Sequence, residues 1–267
     1  MTIVAKEHIV NAVQTDLVHL PGGALRVVRA GHGPAVVYLH GTGDQGALLP
    51  ALETLADDHL VVRPDHPGFI ESDDFAVSDI ADIGRVHEAL LDELGIDEFV
   101  LIGCSLGGWV AAELALRVPE RVRRLVLIDP AGLAGDGTAP DIFALTPEEA
   151  LVATVFDDDR REAARRATPH PVITRRLARS RATAHRIAGD PYMHDPSLAG
   201  RLGALTIPVS ILWGREDGIV PLSYAAEWMA ALPQAELTVV PKAGHLPHVE
   251  RPDSLTAVIG RAVPTWS

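Results

Sequence analysis

The chain contains the segment Phe99-Val100-Leu101-Ile102-Gly103-Cys104-Ser105-Leu106-Gly107-Gly108-Trp109. Its first half is an apolar run typical of a buried strand, and its second half begins an amphipathic helix. The motif G-x-S-x-G lies at the junction between the two. A residue at so tight a turn needs a strained backbone, and Gly103 and Gly107 remove Cβ atoms that would clash there. The turn therefore holds the Ser105 hydroxyl above the end of the strand, although a glycine-rich turn required for packing alone is the alternative.

From Val36 onward, apolar strand patterns alternate with amphipathic segments of helix length, which is typical of βαβ units and a parallel sheet. Two further β-rich runs precede this region, and turn residues between them favour an antiparallel pair. We therefore predict an α/β fold, a mostly parallel sheet of about eight strands with helices on both faces. The predicted strands are 16–20, 25–30, 35–39, 59–63, 99–103, 122–128, 209–213 and 235–240, and the predicted helices between them are 47–56, 80–94, 106–118, 223–231 and 252–262.

The alternation breaks once, between residues 135 and 205, where helix patterns at 146–156 and 172–187 replace the strands. We interpret residues 135–205 as a helical cap inserted into an α/β core formed by residues 1–134 and 206–267. Ten arginines fall in this cap, against a strongly acidic remainder. One hypothesis is that a cap arginine pairs with an acidic group of the substrate. The alternative is that the arginines form the solvated face of the cap helices.

Composition and charge narrow the classes of partner. Of 267 residues, 47% are apolar and 22% charged, which predicts a soluble globular protein with a large core. The formal net charge of -13 argues against nucleic acid and anionic membrane surfaces as partners, because both require a basic face. No apolar run reaches the roughly 18 residues needed to span a bilayer. We expect a small-molecule substrate, neutral or weakly charged, and leave a homo-oligomer open.

Neither a cofactor nor a metal ion is expected from the sequence. Cys104 is the single cysteine, so no internal disulfide framework can form. Residues 1–7 lack the pattern of a signal peptide, and we expect a reducing cytoplasm. The phosphate-binding motif G-x-x-x-x-G-K-[ST] is absent, and the histidines lack the spacing of metal ligands.

A histidine follows the last predicted strand. His245 comes after residues 235–240, and groups at the carboxyl ends of parallel strands converge on one crevice. Ser105 lies at another such end, so His245 is the predicted base. His248 competes for this role, but the preceding Pro247 and a position nearer the next helix favour a structural or rim role.

An acidic turn follows the preceding strand. Asp217 is predicted to accept the other N–H of the imidazole, which would fix its tautomer and stabilise the imidazolium. Glu216 is the weaker neighbour, and a solvated Asp-Gly turn is the structural alternative. A second candidate is Asp129, which ends the buried run 125–128. We rank Asp217 first and keep Asp129 as its rival.

Two backbone N–H groups are candidates for an oxyanion hole. Leu106 begins the helix after the nucleophile, where free amides and the helix dipole favour negative charge. The second donor is predicted in the turn after the third strand, at Thr42 with Gly43 as the alternate. Gly41 and Gly43 would let this backbone approach the substrate closely.

The chain resembles the α/β-hydrolase superfamily over nearly its whole length. The matching elements appear in the expected order: His40-Gly41, the turn 65–69, the elbow 103–107, then Asp217 and His245. The order Ser, Asp, His belongs to this fold. The sequence departs from the family pattern after Phe69, where Ile70 stands at a position often held by glycine.

The resemblance implies a serine hydrolase. A serine at position 105 separates the chain from fold members that use aspartate as the nucleophile, such as haloalkane dehalogenases and epoxide hydrolases. It is similar to carboxylesterases and to meta-cleavage product hydrolases, which cleave carbon–carbon bonds. The latter commonly have Asn before the nucleophile and Trp after the histidine, where this chain has Cys104 and Leu246. We expect an acyl-enzyme on Ser105 and an ester substrate; a C–C hydrolase, a lactonase or a non-catalytic binding protein are alternatives.

Overall fold

The computed structural model describes residues 12–168 and 170–260, and they contain one eight-stranded sheet. The strand order is β1-β2-β4-β3-β5-β6-β7-β8, in which β1 and β2 pair antiparallel and β3 to β8 are parallel to one another. This confirms the predicted sheet. The strands are β1 Gln14–Leu20, β2 Gly23–Ala30, β3 Ala35–Leu39, β4 Leu60–Pro64, β5 Phe99–Cys104, β6 Val122–Ile128, β7 Val209–Gly214 and β8 Glu236–Val240.

Helices cover both faces of this sheet, as predicted. In addition to a short 3₁₀ helix, Leu222–Tyr224, they are α1 Pro50–Leu55, α2 Ile80–Glu93, α3 Leu106–Arg117, α4 Pro147–Thr154, α5 Asp158–Arg166, α6 Pro171–Ala188, α7 Leu198–Leu202, α8 Ala225–Ala231, α9 Pro247–Glu250 and α10 Asp253–Gly260. Some predictions extend beyond the described residues: the first 11 and last seven residues of the predicted core, residue 169 of the predicted cap, and the last two residues of the predicted helix 252–262.

The central strand β5 shows why its sequence is continuously apolar. All six of its residues are buried, because helices pack on both faces of a parallel sheet. Leu101 belongs to the core cluster on the side of α2 and α3. Ile102 faces the opposite cluster, which contains residues of α1 and α10. Ser105 therefore follows a strand that is fixed from both sides.

Four helices, α4 to α7, lie between β6 and β7, in the interval that the sequence assigns to a cap. The longest, α6, is hydrogen-bonded to the loop after β4: Thr183 Oγ1 donates to the Gly68 carbonyl at 2.9 Å, and Ile70 N–H donates to Ser180 Oγ at 3.2 Å. The division into core and cap remains a prediction. In the described part of the chain, no helix has both the length and the apolar character needed to cross a bilayer.

Candidate active site

The backbone at Ser105 is strained. Ser105 has φ 56° and ψ −123° at the start of α3, a region that side-chain-bearing residues rarely occupy. Its N–H donates to the Ile128 carbonyl at 2.9 Å, while its own carbonyl accepts from Gly108 at 2.8 Å and from Ala131 at 3.1 Å. These bonds to β6 and α3 hold the strained turn in place at the carboxyl end of β5.

The two glycines of the elbow are required by close backbone approach. A Cβ on Gly103 would overlap the carbonyl oxygen of Gly107. A Cβ on Gly107 would overlap the carbonyl oxygens of Leu39 and His40. The elbow therefore packs directly against the end of β3, which brings the following loop to Ser105.

His245 and Asp217 are in direct contact. His245 Nδ1–H donates to Asp217 Oδ2 at 2.7 Å, and both residues are buried. The other carboxylate oxygen, Asp217 Oδ1, accepts from the N–H groups of Ile219 at 2.7 Å and Val220 at 3.0 Å. The bond at Nδ1 leaves Nε2 of a neutral imidazole as an acceptor.

Ser105 follows β5 at the same carboxyl-terminal edge of the sheet as the loops after β7 and β8, which carry Asp217 and His245. Among the hydrogen bonds of the described residues there is none between Ser105 Oγ and His245. Catalytic hydrogen bonds are often long without substrate and tighten in the substrate complex. The structure thus brings two of the three predicted residues into contact and the third to the same edge.

The loop that carries His245 is attached to the segment after α4. His245 N–H donates to the Thr154 carbonyl at 2.8 Å. The buried carboxylate of Glu250 accepts from Gly244 N–H at 2.7 Å and from the N–H groups of Phe156 at 3.0 Å and Asp157 at 2.9 Å. Sequence reasoning missed Glu250, since its partners lie up to 94 residues away.

His248 and Glu216, which rank below His245 and Asp217 as candidates for the base and the acid, bond to other partners. His248 is buried, and its Nε2 lies 2.9 Å from the Tyr38 hydroxyl. Burial lowers the pKa of His248 to about 4, so its imidazole is neutral at pH 7. The carboxylate of Glu216 accepts from Ala243 N–H at 3.1 Å and thereby links two loops. Both geometries favour structural roles.

Asp129, the rival acid, lies beside Asp217 rather than apart from it. Its side chain is completely buried, and its Oδ1 accepts from Gly214 N–H at 2.8 Å. Burial, followed by the neighbouring charge of Asp217, raises the pKa of Asp129 well above its ordinary value. Asp129, Asp217 and His245 each have one side-chain oxygen or nitrogen atom that could bind a metal ion. These three atoms lie within 4.8 Å of one another.

That cluster also has the residue types of a metal site, but its geometry fits a hydrogen bond better. Ligands about 2.1 Å from a tetrahedral metal lie roughly 3.4 Å apart. His245 Nδ1 and Asp217 Oδ2 are 2.7 Å apart, which is an ordinary hydrogen-bond length. The contact between His245 and Asp217 is therefore assigned to a hydrogen bond and not to a shared metal ion.

Two predicted oxyanion donors have free N–H groups. Within residues 12–168 and 170–260, the N–H groups of Thr42 and Leu106 have no backbone acceptor. Gly41 explains the close approach of this loop, since a Cβ there would lie 3.2 Å from Ser105 Cβ. Gly43 has open space around it, so packing does not require glycine at that position. The geometry leaves both N–H groups available to a ligand oxygen.

Three buried histidines support this loop, and the sequence did not reveal them as a set. His66 N–H donates to His40 Nε2 at 3.1 Å, so the His40 proton is on Nδ1, 2.8 Å from the Gly41 carbonyl. His66 Nε2 lies 2.9 Å from the His40 carbonyl, which makes it the donor. Its Nδ1 then accepts from His87 Nε2 at 2.7 Å. Burial lowers the pKa of all three well below the ordinary value.

A buried arginine fixes the other side of the loop. Arg63 is completely buried in β4, and its guanidinium donates to Asp65 Oδ1 at 2.5 Å and to Asp44 Oδ1. Asp44 follows the predicted oxyanion loop, and its Oδ1 also accepts from Gly46 N–H at 2.7 Å. The ion pair between Arg63 and Asp44 therefore attaches the loop to β4.

Most cap arginines bind the protein itself, which supports their structural interpretation. Arg181 and Arg186 donate to backbone carbonyls at 2.6 Å and 2.9 Å. Among the described residues, the guanidinium groups of Arg160 and Arg175 have no hydrogen-bonded or ion-paired partner, while Arg160 N–H donates to Asp157 Oδ1 at 3.0 Å. The ion pairs join Arg161 to Asp158, Arg165 to Glu148, Arg166 to Glu162, Arg176 to Glu71, Arg179 to Asp74, and Arg201 to Glu113 and Asp195.

Residues 36–258 match the sequence profile of the alpha/beta hydrolase family. The match spans most of the chain and includes every residue described above as part of the site. The chain belongs to this family, and it is a hydrolase of that fold.

Particular relatives fall into two chemical groups. The chain is 29% identical to a 2-hydroxy-6-oxo-6-phenylhexa-2,4-dienoate hydrolase of Burkholderia cepacia, covering 84% of this chain and 86% of that protein. It is also 29% identical to a pimeloyl-[acyl-carrier protein] methyl ester esterase of Photobacterium profundum, covering 86% and 94%. A crystal structure of the phenylhexadienoate hydrolase from Rhodococcus sp. strain RHA1 superposes with a TM-score of 0.74 at 25% identity, covering 94% and 99%.

Proposed function

We propose that this protein is a serine hydrolase that cleaves small-molecule carboxylic esters through an acyl-enzyme on Ser105. The observation that carries the proposal is the strained backbone of Ser105, φ 56°, at a strand-to-helix turn. Such strain persists only where the surrounding structure enforces it, and it clusters at functional sites. The contact between His245 and Asp217 at the same sheet edge supplies the partner base.

In the first half-reaction, His245 Nε2 takes the proton from Ser105 Oγ as that oxygen attacks the ester carbonyl carbon. The carbonyl oxygen becomes an oxyanion, and the N–H groups of Leu106 and Thr42 stabilise it. The imidazolium then gives its proton to the departing alkoxide oxygen. An alcohol leaves, and the acyl group remains on Ser105. Asp217 stabilises the imidazolium through Nδ1–H.

In the second half-reaction, His245 Nε2 removes a proton from water, whose oxygen attacks the acyl carbon. The proton returns to Ser105 Oγ when the acyl–oxygen bond breaks, and a carboxylic acid is released. One ester and one water thus give one alcohol and one acid. The loss of a single oxyanion donor in such a cycle costs about 3 kcal/mol.

The ester substrate class rests on two observations. The relative in Photobacterium profundum is named as a methyl ester esterase. In addition, Cys104 and Leu246 depart from the Asn and Trp that a resemblance to meta-cleavage product hydrolases implies at these positions. Cys104 is fully buried, and burial raises the pKa of its thiol well above the ordinary value, so a neutral thiol beside the nucleophile adds no competing base.

A second candidate function is cleavage of a carbon–carbon bond in a vinylogous diketone. The relative in Burkholderia cepacia supports it, because the phenylhexadienoate in its name contains no ester, so its hydrolysis breaks a carbon–carbon bond. A lactonase is a variant of the ester proposal, since a lactone is a cyclic ester and needs the same acyl-enzyme.

A substrate panel tests the proposal. The panel contains p-nitrophenyl esters of graded acyl length, several lactones and one vinylogous diketone, each measured with wild-type enzyme and with Ser105→Ala. We expect the highest kcat/KM for an ester and loss of that turnover in the variant. A diketone with a higher kcat/KM than every ester would instead favour the second candidate. Ligand binding without any turnover would contradict both.

A further inference from the structure

We propose that Asp129 is a positioning residue that keeps its proton and donates it in an O–H···O hydrogen bond to the carboxylate of Asp217. This inference rests on the proposed function, in which Asp217 orients His245. It assigns distinct roles to the two acids that the sequence leaves as rivals: Asp217 is the ionised partner of the base, and Asp129 is its neutral support.

The closeness of the Asp129 and Asp217 carboxyl groups requires that one of them holds a proton. One carboxylate oxygen of Asp129 lies within 4.8 Å of one carboxylate oxygen of Asp217, and two ionised carboxylates offer each other only acceptors. Asp129 Oδ2 is buried and has no N–H or O–H donor among the described residues. Two like charges this close in a buried site cannot both stay ionised, so one carboxyl retains its proton.

The number of donors decides which acid is neutral. Asp217 already accepts three hydrogen bonds, from the N–H groups of Ile219 and Val220 and from His245 Nδ1. Asp129 accepts one, from Gly214 N–H. Hydrogen bonds to a carboxylate favour its charged form, so the negative charge belongs on Asp217 and the proton on Asp129.

The other titratable groups around Asp129 point the same way. Asp217 and Glu250 both raise its pKa through their negative charges. Cys104, on β5, interacts with Asp129 electrostatically and is itself held neutral by burial. The one imidazole of this cluster, His245, is already bonded to Asp217. None of these groups supplies a fixed positive charge that would ionise Asp129.

A neutral Asp129 serves the catalytic base. With both carboxyls ionised, two negative charges would lie beside His245 and favour its protonated form, which cannot accept the Ser105 proton. The O–H of Asp129 instead orients Asp217 and leaves one negative charge. We therefore expect Asp129→Asn, whose amide also donates, to recover most of the kcat that Asp129→Ala loses. Asp129→Asn should also leave the pH profile of kcat close to that of wild type.

The decisive experiment reads the proton without using activity. Infrared spectra of the wild type at pH 7 should contain the carbonyl stretch of a protonated carboxylic acid, and Asp129→Asn should remove it. The exposed Asp97 provides the matched control, because Asp97→Asn should leave that band in place.

Unfolding equilibria across pH 5 to 8 give a second readout. A folded-state pKa raised above the unfolded value means that the stability present below the unfolded pKa is lost as pH rises through the folded one. Relative to Asp129→Asn, the wild-type folding constant should fall about tenfold per pH unit in the window between the two pKa values.

Three outcomes overturn the inference. They are a spectrum with no band attributable to Asp129, a folding constant with the same pH dependence in both proteins, and a wild-type protein that carries a stoichiometric metal whose removal restores the band. None of these results bears on Ser105, whose covalent labelling tests the proposed function separately.

Discussion

His245 Nδ1 and Asp217 Oδ2 meet at 2.7 Å although 28 residues separate them in the chain. The contact exists because β7 and β8 are parallel neighbours, so the loops that follow both strands lie at one edge of the sheet. Both side chains are buried, which strengthens the interaction.

Replacement of Asp217 by Asn is expected to lower kcat by about 10⁴, because the amide stabilises the wrong imidazole tautomer. The neighbouring Glu216→Gln is the matched control and should change kcat little, since Glu216 bonds to Ala243 N–H rather than to His245. Steady-state kinetics on a p-nitrophenyl ester measure both. Normal turnover in Asp217→Asn together with collapse in Asp129→Asn would reverse the assignment of the two acids.

Acid should destabilise the protein through the histidines that support the oxyanion loop. Burial lowers the pKa of His40, His66 and His87, so each is neutral when folded and takes up a proton when unfolded. Stability is therefore present above the unfolded pKa of about 6.5 and is lost as pH falls below it. Three such groups increase the slope of the free energy of unfolding against pH by about 4 kcal/mol per pH unit.

Urea unfolding between pH 5 and 7 measures this slope. His87→Gln retains a donor for His66 Nδ1. It should lower the number of protons taken up on unfolding by about one, which lowers the slope by about 1.4 kcal/mol per pH unit. His32→Gln, at an exposed position, is the control and should leave the slope unchanged. Equal slopes in wild type and His87→Gln would show that His87 is protonated in the folded protein.

The elbow should not tolerate a methyl group at position 107. Gly107→Ala places a Cβ against the carbonyl oxygens of Leu39 and His40, so either the elbow or β3 must move. We expect a loss of more than about 3 kcal/mol in the free energy of unfolding, or failure to fold. Gly200→Ala in α7 has open space and should be neutral or stabilising by up to about 1 kcal/mol. Thermal unfolding compares them, and a Gly107→Ala protein as stable as Gly200→Ala contradicts the packing argument.

The sequence predicted what depends on local pattern. Strand β5 is a continuous apolar run, and the glycines beside Ser105 have a stereochemical reason that requires no structure to see. Strand order and chain direction then put Ser105, Asp217 and His245 at one edge. By contrast, α5 was missed because its sequence contains no apolar residue larger than alanine and thus no apolar periodicity.

Long-range contacts are the part that the sequence did not contain. Glu250 binds the N–H of Phe156 across 94 residues, and no spacing rule predicts that distance. Likewise, Asp129 and Asp217 follow adjacent strands, so pattern alone identifies two candidate acids without showing that their side chains lie within 4.8 Å of each other. Ile70 illustrates a third limit. It adopts φ 51°, a backbone conformation that favours glycine, so the turn carries strain that composition does not reveal.

Covalent labelling of Ser105 tests the central claim most directly. The protein is incubated with a fluorophosphonate, the intact mass is measured, and the modified residue is located by peptide mapping. We predict one adduct, on Ser105, that is slowed strongly in His245→Ala and absent in Ser105→Ala, whose kcat for esters falls on the order of 10⁶. An adduct at another residue, or Ser105→Ala with wild-type ester turnover, would contradict the account.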